Sequence, residues 1–305
     1  MIVSPDIDTG EFEVLGGSSD KVFPKETGVV RKFSKSVVEA EKEYDEGVLS
    51  LKEFKRRIGE LERDCGEDLK SEEKAVLSLF GQLFSLVDWK NQIGDLEDAD
   101  AEDRVGFMEE SVLLQQEVVR IVAGNVDLEK NEFSMPLARY FLFLTDTFGD
   151  LMVSDCVDMK ENARLVEGIR GMVTSALLFK KEGWEVSLPP VELDVYCGID
   201  LVVRNPETGK YYAVDVTASL HNRVRGEDVF DLTAMEPHFS LKGVGSWKDV
   251  GFLRLNVPPL KDSRGGLLDE AKKLYSSKGG LAVRSLGIPN NKMQEDFVYK
   301  LDGLQ

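Results

Sequence analysis

The rhythm of apolar and polar positions changes part-way along the chain. Up to about residue 183, apolar residues recur at spacings of three and four, which predicts helices with one buried face. The stretches SVVEAEKEYDEG (36–47) and SLKEFKRRIGELERD (50–64) read this way, with Gly47 ending the first. Ser50 and Glu53 form a Ser-x-x-Glu capping box for the second. SEEKAVLSLFGQLFSLVDWKNQIG (71–94) lines up Leu77, Phe80, Phe84 and Val87 on one side. LEDADAED (96–103) reads as an acidic loop, and RVGFMEESVLLQQEVVRIVAGN (104–125) as a helix closed by Gly124 or Asn125. SMPLARYFLFLTDTFGDLMV (134–153) starts at a Ser-x-Pro cap and has a broad apolar face, as a central helix does. ENARLVEGIRGMVTSALLFKKEGW (161–184) is long and amphipathic, with Leu165, Ile169, Met172, Ala176 and Phe179 in one stripe. The first 30 or so residues are rich in turn formers and read as an irregular arm.

After that helix the period shortens to two. WEVSL (184–188), VYCGIDLVVR (195–204), YYAVDVTAS (211–219) and GFLRLNVP (251–258) read as strands, followed by a helix over DSRGGLLDEAKKLYSS (262–277) and a strand in GGLAVRSLG (279–287). Between the second and third strands, RNPETGK fits a four-residue hairpin loop. Pro206 takes the position that wants a fixed φ and Gly209 the left-handed one. That loop pairs Arg204 with Tyr211, so Asp200 falls opposite Asp215. Ile199, Leu201 and Val203 then share the core face with Tyr212, Val214 and Val216. The fold class is α/β: a mixed sheet flanked by helices, preceded by an all-α domain. The boundary falls between an acidic helical domain over 1–156 and an α/β domain over 157–305.

Charge sharpens that division. The net charge of −18 lies entirely in the first half: residues 1–159 carry 18 Lys+Arg against 36 Asp+Glu, whereas 160–305 carry 20 of each. The asymmetry suggests two units with different partners, a protein partner suiting the acidic half, or else an acidic helical surface that merely aids solubility. Cys65, Cys156 and Cys197 are scattered and odd in number, which suits a reducing cytoplasm and no disulfide or zinc framework. With only His221 and His238 present, histidine metal clusters and Ser-His triads have little to draw on. No run of 18 apolar residues predicts a membrane span, and MIVSPDIDTGEFEV does not read as a signal peptide. GVGSW and SRGGLL are too short for a phosphate-binding glycine loop.

The chemistry concentrates in the hairpin. Two aspartates directly opposite each other have Cβ atoms about 5 Å apart, where like charges destabilise. Aspartate is also disfavoured in strands. A divalent cation offsets that cost, because hard oxygen ligands on rigid strands are what Mg²⁺ accepts. Solvation of that face, or pairing with Arg204 and Lys210, offsets it too.

A helix bearing an acid, the sequence GID, a hairpin and then VDVT together resemble the core of the PD-(D/E)XK nuclease superfamily. The resemblance spans roughly Glu161 to Pro259, and GWEVSL resembles the turn that leads from the helix into the first strand. It implies a restriction-endonuclease-like sheet and a metal-dependent nuclease hydrolysing phosphodiester bonds of DNA or RNA. By position, Asp200 and Asp215 match the strand acids and Glu167 the helix acid, with Glu161 as the other option. The resemblance further implies Mg²⁺ (or Mn²⁺) held by Asp200, Asp215, the Val216 carbonyl and Glu167. Thr217 stands where the family has a catalytic lysine. Lys180, Lys181 or Lys242 would have to fill that role, or the chain is a catalytically degenerate module that binds protein or nucleic acid as a scaffold. Arg223 and Arg225 in HNRVRGED (221–228) are placed to touch phosphates.

Overall fold

The structure is a computed structural model. It describes residues 46–66, 99–124, 159–218, 231–234, 250–259, 273–275 and 287–303, the pair 13–14, and isolated positions before 127. The expected helices over 71–94 and 134–153 lie outside these residues almost entirely. So do the expected 262–277 helix, the 279–287 strand, and His221, Arg223, Arg225, His238 and Lys242.

In the helical half, α1 spans Leu51–Gly66 and begins at the expected capping box. The Ser50 amide donates to Glu53 Oε2 at 2.9 Å, and the Glu53 amide donates to Ser50 Oγ at 3.3 Å. These bonds hold the Glu53 carboxyl below its usual range, the Ser50 hydroxyl acting most strongly. Helix α2 spans Ala101–Ala123 and starts three residues earlier than the acidic-loop reading allowed. Asp100 caps it by accepting the Asp103 amide at 2.9 Å, and acids in a first helical turn are stabilised by the macrodipole.

Helix α3, Met159–Lys181, is the spine of the α/β part. Ile169, Met172, Ala176 and Phe179 of the expected stripe are buried, and so are Val173, Leu177 and Leu178. Helix α2 packs along α3. Gly183, at φ 78°, turns the chain into Trp184, whose ring packs against Phe179 and Tyr212.

Among the described residues the sheet has six strands, in the order β1-β2-β3-β4-β6-β5. These are β1 Glu13–Val14, β2 Glu185–Leu188, β3 Leu201–Arg204, β4 Tyr211–Ala218, β5 Asp231–Ala234 and β6 Gly251–Val257. Parallel pairing of β4 with β6 among antiparallel neighbours makes it a mixed sheet, and with its helices the class is α/β. The hairpin register is as expected, with Arg204 opposite Tyr211 and Leu201 opposite Val214. Its loop closes on the Asn205 side chain, which accepts the amides of Glu207 at 2.8 Å and Thr208 at 3.1 Å. Gly209 holds φ 67°.

One expected strand is corrected. The segment read as VYCGIDLVVR opens in a short helix, α4, Val191–Cys197, and only Leu201–Arg204 is strand. Pro189 and Pro190 donate nothing to a ladder, and Pro190 presets the φ that starts a helical turn. Gly198 ends α4 in the left-handed region at φ 62°, its amide bonded to the Asp194 carbonyl at 2.9 Å. Strand β5 and the C-terminal helix α5, Asn291–Asp302, are further elements. Helix α5 docks on α3 through an edge-on Phe297–Phe179 contact at 4.9 Å. Among the described residues, no helix is long and apolar enough to cross a membrane.

The two faces of the sheet are covered differently. Gly171 of α3 approaches the Val216 and Ala218 side chains so closely that a Cβ there would stand 3.1 Å from Val216 Cγ1. On the opposite face Leu193 of α4 packs with Ile199, Val202 and Ala213. Alternation along β4 therefore puts Asp215 and Thr217 on the α4 face.

Candidate functional site

Two observations define how Asp200 is held. The Asp200 amide donates to the Val214 carbonyl at 3.0 Å, although Val214 is the register partner of Leu201. The next amide along β4, that of Val216, donates to Asp200 Oδ2 at 2.7 Å. The ladder thus ends at Leu201, and the Asp200 side chain takes the place of the next main-chain carbonyl. Within a strand a residue's N–H and C=O point to the same edge. The Val216 carbonyl is therefore aimed at the β3 edge where Asp200 stands.

Asp215 is held from the other side. Its register partner on β6 is Arg254. Arg254 donates to Asp215 Oδ2 through Nε at 2.9 Å and Nη2 at 2.5 Å. The arginine side chain is 43% exposed and the aspartate 27%. This ion pair is close and partly screened by water.

A third carboxylate belongs to the group. Asp194 on α4 raises the pKa of Asp200 by its charge, second only to burial; the Val216 amide opposes the shift and Asp215 adds to it. Together these causes push Asp200 well above the usual carboxylate range. Burial pushes Asp194 itself up to about 7, against a hydrogen bond from Gln116 of α2. Gln116 also donates to the Pro189 carbonyl at 3.0 Å, so the helical half touches the wall of the site.

Thr217 lies one pleat beyond Asp215 on the same face. Its Oγ1 is buried and has no hydrogen-bond partner among the described residues. Its register partner, Asn256, is 3% exposed, and its amide oxygen and nitrogen are likewise unpartnered among them.

Glu167 is placed differently. It sits on α3, which packs against the Val216 face of the sheet, and is ion-paired with the buried Arg170 one turn on. Both bear on Tyr275, whose hydroxyl donates to the Pro258 carbonyl at 2.6 Å. Thr174 ties the same region to the Gly287 carbonyl at 2.6 Å. The Glu161 side chain lies outside the described residues. Lys180 and Lys181 sit at the far end of α3, bonded to the Ala123 carbonyl at 2.9 Å and to Asn291 Oδ1 at 3.4 Å.

As donors, the Asp200 and Asp215 carboxylates and the Val216 carbonyl are hard oxygens of the kind Mg²⁺ takes, with waters completing its shell. Asp200, pushed toward the protonated state by burial and by the neighbouring carboxylates, and Asp194, pushed the same way by burial, fit a pocket short of positive charge around them. Among the described residues, no group of three or more His, Cys, Asp or Glu is arranged to hold a metal ion. The candidate donor set is therefore two carboxylates and a carbonyl.

Sequence reasoning missed Asp194, Arg254 and Asn256. The last two alternate with Leu253 and Leu255 in GFLRLNVP, so period two marks them as one face, but nothing local says which strand lies beside them. Asp194 stands just before the expected strand VYCGIDLVVR, whose first three residues belong to its helix.

Comparison of the chain with protein-family models, with curated proteins and with solved structures returned no match.

Proposed function

We propose that the chain is a metal-dependent nuclease hydrolysing phosphodiester bonds of DNA or RNA, with its centre on the α4 face of the β3–β4 hairpin. The carrying observation is the placement of Asp200 at the end of the β3 ladder beside Val216, within electrostatic reach of Asp215. The order of helix α3, strand β2 and then the hairpin supports a restriction-endonuclease-like core, as the sequence resemblance implies.

On this reading Asp200, Asp215 and the Val216 carbonyl hold Mg²⁺ (or Mn²⁺). The ion supplies charge to the scissile phosphate and acidifies bound water. The sequence resemblance adds Glu167 to that set; it is ion-paired with Arg170 on α3, which covers the opposite face of the sheet. Thr217 carries no charge, and Arg254 is the cation beside Asp215 that can reach a phosphate oxygen; two N–H groups fix its plane against the carboxylate and other donors remain on the guanidinium. Calorimetric titration with Mg²⁺ and Mn²⁺ tests the site. Asp200→Asn weakens binding on this account, and an isotherm unchanged from wild type overturns the assignment.

The Asp215–Arg254 pair also favours a second reading. An ion pair that satisfies the carboxylate within the protein, together with Thr217 at the lysine position, suits a catalytically degenerate module that binds protein or nucleic acid as a scaffold. Under either reading nucleic acid is the proposed partner of the 157–305 part and a protein that of the acidic half.

A further inference from the structure

Asparagine is disfavoured inside strands, and a buried amide without a partner costs the fold the desolvation of that group. Asn256 sits in β6, hydrogen-bonded on both sides by β4 and β5, and is almost wholly buried. Both atoms of its amide, and Thr217 Oγ1 beside it, have no hydrogen-bond partner among the described residues. The two residues are in register on adjacent parallel strands, so their side chains leave one face about 5 Å apart. They present a hydroxyl, an amide N–H₂ and an amide oxygen on one face of the sheet, with Asp231 of β5 in register on the other side of Asn256.

That mixture selects its ligand. An anion would face the amide oxygen, and a metal ion would face the amide hydrogens. Water carries two donors and two acceptors, and a polar recess offering two to four partners is what a buried water requires. We propose that Thr217 and Asn256 bind an ordered water, held on the same face as Asp215 and Arg254 and two residues further along each strand. The binding stands independently of the hydrolytic reading; the water's role as reactant rests on that reading. In that role its oxygen bonds to phosphorus as the opposite P–O ester bond breaks, and one of its protons passes through solvent to the departing oxygen. Thr217 and Asn256 are then positioning residues, and the threonine that replaces a lysine orients the water without supplying charge.

Two readouts that need no cleavage test this. In the full-length protein, the Asn256 side-chain amide protons show a cross-relaxation peak to a long-lived water, which Thr217→Val weakens and Thr217→Ser retains. Thr217→Val is isosteric, so removing a hydroxyl bonded to water lowers Tm, whereas removing an unpaired hydroxyl raises it. Absence of the water peak in wild type, an unchanged peak in Thr217→Val, or a higher Tm for that variant overturns the proposal. A wild type that shows the peak and cleaves nothing overturns the nuclease reading and leaves the water site in place.

Discussion

The Asp200 carboxylate accepts the Val216 amide at 2.7 Å, standing where the β3 ladder would otherwise supply a carbonyl. This bond needs an acceptor oxygen and not a charge. Asp200→Asn therefore keeps it and removes a buried carboxylate, whereas Asp200→Ala leaves a strand amide without its acceptor. In denaturant titration at pH 7, Asn matches or exceeds wild-type stability, and Ala loses about 1–3 kcal/mol. Equal losses for the two would mean that the charge, and not the hydrogen bond, is what the fold uses.

Asp194 sets a pH dependence whose sign is fixed. Its pKa in the folded chain, about 7, lies above its unfolded value near 3.8, so the folded state holds the extra proton between those limits. Stability from this group is greatest below the unfolded pKa and falls as pH rises toward 7, then levels off. Asp194→Asn removes that slope and stabilises the protein at pH 8 by roughly 1–3 kcal/mol while changing little at pH 4. Unfolding curves for both proteins at the two pH values check this, parallel shifts being the contrary result. Because Asp200 is pushed the same way, Mg²⁺ binding on the nuclease reading would release protons and tighten as pH rises.

Arg254 carries a kinetic prediction. On the nuclease reading, Arg254→Gln lowers the cleavage rate by about a hundred- to a thousand-fold, the usual effect of deleting one positioned charge donor. Arg254→Lys recovers part of it. Single-turnover rates with Mg²⁺ measure the effect, and a Gln variant as fast as wild type removes Arg254 from the mechanism.

What could be read from the sequence was what local chemistry decides. The turn residues Asn205, Pro206 and Gly209 set the β3–β4 register, and Ser50 with Glu53 set a helix start. Where that register ends was not legible. The pairing stops at Leu201 opposite Val214. Asp200, expected opposite Asp215, bonds its amide to the Val214 carbonyl while its side chain completes the ladder, because α4, capped by Gly198, feeds the chain into β3. Val195, Tyr196 and Cys197 have strand-forming side chains, and the two prolines before them outweighed that preference. Arg254 and Asn256 come into register with Asp215 and Thr217 through parallel pairing of strands that β5 separates in sequence, a non-local contact that period-two alternation leaves unassigned.

The central claim is tested most directly by nicking of supercoiled plasmid, run beside a single-stranded RNA substrate, with Mg²⁺ and Mn²⁺. The account predicts metal-dependent cleavage by the wild type of at least one substrate and loss of about a hundred-fold or more in Asp215→Asn. A folded wild type inert on every substrate with both metals, or cleavage that persists in Asp215→Asn, contradicts it.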